Sequence, residues 1–140
     1  MPAQLRVLIL CTGNSARSQM AEGLLRHDGG AVFEVRSAGI RPTEVRAEAV
    51  EVMAEIGVDI SRQRPKSVSA LDGERFDYVV TVCDQAREAC PVWPGARQVH
   101  WSIPDPAAVG GGGEQRLAVF RAARDELRRR LAEFVAEVGA

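Results

Sequence analysis

Apolar residues occur along the chain in two rhythms, short unbroken runs and stripes spaced three or four apart. Leu5–Leu10, "LRVLIL", and Tyr78–Val82, "YVVTV", are runs without alternation, which predicts central strands buried on both faces. Val32–Ser37, "VFEVRS", alternates and predicts a shorter strand, and Arg97–Trp101 predicts a third core strand. Between them lie helical patterns. Ser15–His27 places Met20, Ala21, Leu24 and Leu25 on one face and stops at Gly29–Gly30. Thr43–Ile56 is amphipathic, with Pro42 ahead of it, Thr43 as its expected cap and Gly57 as its stop. Ser61–Lys66 is polar and predicts a loop. Cys83–Cys90 predicts a short helix stopped by Pro91, and Ser102–Gly113 a loop rich in proline and glycine. Glu114–Val138 closes the chain as a long helix with Leu117, Phe120, Leu127, Leu131, Phe134 and Val138 as its stripe.

Strands alternating with helices imply an α/β fold, a four-stranded parallel sheet with helices on both faces. In such sheets ligands bind at the carboxyl ends of the strands, near the point where strand order reverses. The loops after Leu10, Val82 and Trp101 should therefore meet at one end.

Composition narrows the function little. The 140 residues suit one domain, and 46% hydrophobic with 26% charged residues is ordinary for a soluble protein. A net charge of −1 gives no general reason to expect nucleic acid or an anionic membrane as partner. No apolar run reaches membrane-spanning length, and the first ten residues lack the pattern of a signal peptide, so a cytoplasmic location is expected. No exposed apolar stripe demands a partner, so a monomer is expected. The three cysteines, at 11, 83 and 90, point to thiol chemistry or core filling rather than a disulfide framework.

The chemistry concentrates in "CTGNSARSQM". The loop Thr12–Arg17 joins a buried strand to a helix start, where free amides and the helix dipole favour an anion. Thr12, Gly13, Asn14, Ser15, Ala16 and Arg17 are the expected anion-binding residues. Gly13 is expected to supply the backbone angles of a tight nest, and Asn14 tolerates the left-handed region. Arg17 can fork two hydrogen bonds to an oxyanion, and Ser18 can donate to Cys11. Together they predict that Cys11 reacts as a thiolate nucleophile. A buried structural cysteine is the alternative. Attack at an oxyanion also needs a general acid for the leaving oxygen, and Asp105 in "SIPDP" is the candidate, with a simple turn aspartate as the alternative.

Cys83 should lie at the same sheet end as Cys11. Seven residues of helix would separate Cys83 from Cys90 by about 10 Å. A disulfide needs Cα atoms within roughly 7 Å, so the pair closes only if the helix unwinds. Two filler cysteines, or a metal site with His100, remain as alternatives, the second poorly spaced for zinc. His27 reads as a helix C-terminal charge partner, Trp93 as core cover, and Arg128–Arg130 as a solvated helix face.

The segments "CTGNSARSQMAEGLLR", "SAGIRP", "AVEVMAEIGVDIS", "DYVVTVCDQAREACP" and "HWSIPDP" together resemble the thioredoxin-coupled arsenate reductases, which share the fold of the low-molecular-weight protein tyrosine phosphatases. The likeness runs from Val7 to about Phe134 and includes all three cysteines. It implies arsenate as substrate, with phosphate or sulfate as analogues, and weak phosphatase activity on the side. It implies attack by Cys11 with Asp105 as acid, then a disulfide passed from Cys11–Cys83 to Cys83–Cys90. Thioredoxin is the implied external reductant, with no bound cofactor. Some members hold a potassium ion through side chains matching Asn14, Glu22 and Ser37 plus an aspartate after "DIS". Lys66, the only lysine, stands at that aspartate's place and is expected to supply the positive charge itself. The rival within the fold is a tyrosine phosphatase, which usually carries aromatic residues after Asp-Pro where this chain has "AAVG". A non-catalytic redox switch is the rival of another class.

Overall fold

The computed structural model describes residues 4–83, 93–108 and 111–138. Strands Leu5–Cys11 (β1), Phe33–Gly39 (β2), Tyr78–Thr81 (β3) and Arg97–His100 (β4) form one parallel sheet in the order β2-β1-β3-β4. The helices are Arg17–Gly29 (α1), Ala47–Ala54 (α2) and Gly113–Val138 (α3). Val7 to Leu10 are fully buried, as the unbroken apolar run of β1 requires. Each such side chain contributes about 1.5–3 kcal/mol by leaving water. The chain turns from β1 to β2 on one side, then crosses back to place β3 on the other. Strand order thus reverses at β1, which makes the carboxyl ends of β1 and β3 the place where a ligand is expected.

The helices contact one another, and all buried apolar side chains of the described residues join one core. Phe134 of α3 gathers three aromatic rings around it. Its ring meets Tyr78 edge-on at 5.2 Å between centroids and lies 6.1 Å from both Phe33 and Trp101. Trp93 covers core as expected. It packs edge-on against Phe76 at 5.6 Å and donates its indole N–H to the Glu74 carbonyl.

Three expectations change. The segment Arg97–Trp101 is not a core strand, because β4 lies at the sheet edge with Arg97 and Gln98 exposed; only Trp101, beyond its end, is buried. Thr43 does not cap a helix, and α2 starts four residues later at Ala47. The reason is backbone bonding, since the Thr43 and Arg46 amides donate to the Gly13 and Ser15 carbonyls and hold this stretch against the opening loop. Helix α1 buries more than one face, because Ser18, Gln19 and Glu22 are buried beside its apolar residues. The expected helix Cys83–Cys90 falls outside the described residues after Cys83.

Candidate active site

Cys11 ends β1 and is 2% exposed. After it the chain turns sharply through Asn14, whose φ of 49° is the one left-handed value among described non-glycine residues. Gly13 does not supply that angle, contrary to expectation; its smallness serves space, since a Cβ there would sit 3.2 Å from the hydroxyls of Ser15 and Thr43.

The carbonyls of this loop are committed outward. The amides of Ile40, Arg41, Thr43 and Arg46 donate to the carbonyls of Cys11, Thr12, Gly13 and Ser15 at 2.8–3.2 Å. The Gln19 amide donates to the fifth, Asn14, at 2.9 Å. Every carbonyl from 11 to 15 is thus tied back, the backbone arrangement that a nest of N–H donors for an anion requires. No side chain caps α1, so its first amides add to the same positive end.

The buried Asn14 side chain sets proton directions. Its carbonyl oxygen accepts from the Lys66 backbone N–H at 2.7 Å. Its NH₂ therefore donates, to Ser18 Oγ at 2.8 Å and Ser37 Oγ at 3.0 Å. The Ser18 proton is then free to point at Cys11 Sγ, 2.9 Å away. The Asn14 backbone N–H reaches the same sulfur at 3.2 Å. The Ser37 hydroxyl donates to one Glu22 carboxylate oxygen, and the other oxygen pairs with Arg26.

Arg17 opens α1 with a side chain 12% exposed, whose guanidinium donates to the Ile103 carbonyl at 2.9 Å and lies 3.8 Å from the Asp105 carboxylate. Asp105 is 43% exposed. Its other oxygen accepts the Ala107 N–H at 3.0 Å and starts a 3₁₀ turn at Pro106–Ala108, so it is a turn aspartate and also a partner of Arg17. Cys83 lies two residues past the end of β3. Its thiol lies 3.1 Å from the Thr12 hydroxyl, which brings the second cysteine onto the rim of the anion loop. Cys90 lies outside the described residues.

The Lys66 ammonium is 3.8 Å from Glu22 and donates to the Arg64 carbonyl at 2.9 Å. Burial lowers the Lys66 pKa from the ordinary lysine value, with Glu22 opposing the shift. The Asn14, Glu22 and Ser37 oxygens thus already meet N–H and O–H donors and two cationic side chains. That set does not fit a potassium ion, which would need these oxygens and add a third positive charge.

The sequence reading did not find Arg26, although its position four residues after Glu22 on a helix was a legible signal. It also did not find Gln19, or Gln63, which donates to the Gln19 side chain at 2.7 Å. The contact of Thr12 with Cys83 spans 71 positions and has no local sequence signal.

Residues 6–140 match the model of the low molecular weight phosphotyrosine protein phosphatase family. The chain belongs to this family. Within it, the chain is 44% identical over 134 residues to an arsenate reductase of Halalkalibacterium halodurans, covering 95% of this chain and 96% of that one. An arsenate reductase solved in its phosphate-binding state superposes with a TM-score of 0.84 at 29% identity, over 96% of this chain and 99% of the other. A thioredoxin-dependent arsenate reductase of Corynebacterium glutamicum gives 0.76 at 30% identity, over 97% of this chain and 62% of that longer one.

Proposed function

We propose that this member of the phosphatase family reduces arsenate to arsenite, with Cys11, Cys83 and Cys90 carrying the electrons. The supporting observation is the Cys83 thiol on the Thr12 hydroxyl, at the rim of the loop that Cys11 opens. Phosphate-ester hydrolysis has no use for a second thiol there. The relatives named as arsenate reductases support the same substrate.

Arsenate enters the loop Thr12–Arg17, held by backbone amides and the Arg17 guanidinium. The Cys11 thiolate, stabilised by the Ser18 hydroxyl and the Asn14 amide, attacks arsenic. Asp105 protonates the departing oxygen, which leaves as water. The Cys83 thiolate then attacks Cys11 Sγ. The sulfur–sulfur bond forms as the sulfur–arsenic bond breaks, and arsenic keeps that electron pair and leaves as arsenite. Cys90 attacks Cys83 Sγ, freeing the Cys11 thiolate and moving the disulfide to Cys83–Cys90. The two thiols of thioredoxin reduce that disulfide. The balance is arsenate plus a dithiol to arsenite, a disulfide and water. Slow hydrolysis of phosphate esters accompanies this, because the loop cannot refuse a tetrahedral oxyanion of the same charge.

Arsenate-dependent NADPH oxidation in the presence of thioredoxin and thioredoxin reductase tests the reading. Turnover is expected. Its absence, with brisk hydrolysis of an aryl phosphate instead, would establish the phosphatase alternative. Turnover only with glutaredoxin would show that the electrons enter by another route.

Lys66 completes the proposal by standing where relatives are expected to hold potassium. Activity and melting temperature should be the same in KCl and NaCl at equal ionic strength. A marked rise in either with potassium would defeat this part. Replacing Lys66 by methionine should lower stability only modestly, because Glu22 keeps Arg26 as a cationic partner and the loss of the second is offset in part by removing a desolvated ammonium.

A further inference from the structure

Between α1 and residues 57–66 lies a shallow cavity of about 620 Å³, broadly open to solvent. That is within the range of small-molecule sites, roughly 300–1,000 Å³. Arg26, Arg62, Arg64 and Lys66 line it, against two carboxylates, Glu22 and Asp59. Two positive charges are left over on a chain whose net charge is −1.

Both carboxylates are already engaged. Glu22 is held by Arg26 and Ser37, and Asp59 accepts the Ser61 N–H at 2.8 Å. Hydrogen bonds from Ser61, with Arg62 nearby, hold the Asp59 carboxyl below its usual range, so it stays ionised and occupied. Among the described residues, the Arg62 and Arg64 guanidinium groups make no ion pair or hydrogen bond, and both residues are exposed on the cavity's margin. Lys66 is crowded by Arg26 and Arg36 as well as desolvated. A cavity with cations in excess, two of them without a direct hydrogen bond or ion pair among the described residues, is suited to an anion of more than one charge. Val58, only 5% exposed, and the backbone of Gly57 complete the lining, and the space is larger than a bare phosphate needs.

We propose that this cavity is a second anion site, separate from the Cys11 loop, which takes a small phosphate monoester with its phosphate on Arg62, Arg64 and Lys66 and its organic part in the remaining space beside Gly57 and His27. The site does not depend on the reductase reading, since neither Arg62 nor Arg64 contacts the loop's reacting groups. Lys66 links the two regions, with its ammonium in the cavity and its backbone N–H on Asn14.

Calorimetry with AMP, ribose 5-phosphate and inorganic phosphate tests this on the full chain. The Arg17→Ala variant removes the guanidinium that the first site needs, so ligand at the second site is read alone. AMP or ribose 5-phosphate should still bind that variant one to one, and more tightly than inorganic phosphate. Adding Arg62→Ala and Arg64→Ala should weaken the binding by about tenfold or more, the value of losing charged hydrogen bonds. Both are exposed, so the melting temperature should hold and the Arg62→Ala/Arg64→Ala protein should keep its turnover. Three results would overturn the proposal: no binding to Arg17→Ala at millimolar ligand, binding unchanged by the two arginine replacements, or inorganic phosphate binding as tightly as the esters.

Discussion

Replacing Cys90 by serine is expected to stop the protein after one arsenite per chain. The first two thiols remain, so Cys11 still attacks arsenate and Cys83 still displaces arsenic from Cys11. The Cys11–Cys83 disulfide then has no third thiol to resolve it. It sits where Cys83 is 5% exposed and Cys11 2%, a poor target for a protein reductant. Arsenite counted in a single mixing, followed by peptide mapping of the disulfide under non-reducing conditions, gives the readout. Sustained turnover with thioredoxin in this variant would rule out the three-cysteine relay. A disulfide elsewhere than Cys11–Cys83 would show that the order of attack is different.

The second large effect is expected at Gly39. This residue ends β2 opposite Cys11, and its N–H is held by the Lys66 carbonyl at 2.8 Å. A Cβ there would meet the Asn14 nitrogen and the Thr12 oxygen at 2.8 Å, and Asn14 Cβ at 3.0 Å. Two of these are backbone atoms of the anion loop, which is tied on its outer side and cannot give way without moving. Gly39→Ala should therefore displace the loop and lower kcat/KM for arsenate by about 10²-fold or more, the cost of misplacing a reacting group by an ångström. Overpacking should cost about 1–3 kcal/mol of stability as well. Gly23→Ala supplies the contrast. There the new Cβ would meet Ile60 Cγ2 at 2.5 Å, inside the core and away from the loop. It should lower the melting temperature by a comparable amount with little change in kcat/KM. Equal kinetic losses in both variants would mean that Gly39 acts through stability alone.

Much of this was legible in the sequence because local chemistry and fold agree there. The run Leu5–Leu10 could only be a buried central strand, and the loop following a buried parallel strand had to lie at the sheet's carboxyl end. Ser18 on Cys11 followed from the same reasoning, as the second residue of α1. What the sequence hid was long-range. Nothing local in "IRPTEVR" tells that its amides serve the loop's carbonyls, so the stretch read as the start of a helix. The edge position of β4 depends on strand order, which the alternation of residues does not encode. Gly13 and Asn14 divided their roles in a way that only backbone angles reveal.

The five carbonyls tied back between Cys11 and Ser15 have a consequence for how arsenate is told from phosphate. A loop locked before its ligand arrives reads only size and charge, and the two oxyanions match in both. Under the proposed reaction, discrimination must then come after capture, where the element itself decides. Arsenic accepts an electron pair when Cys83 attacks, whereas phosphorus has no lower state within reach and the trapped phosphate can only dissociate or hydrolyse. A cell rich in phosphate would thus slow the protein by occupancy without ever being mistaken for substrate in the products.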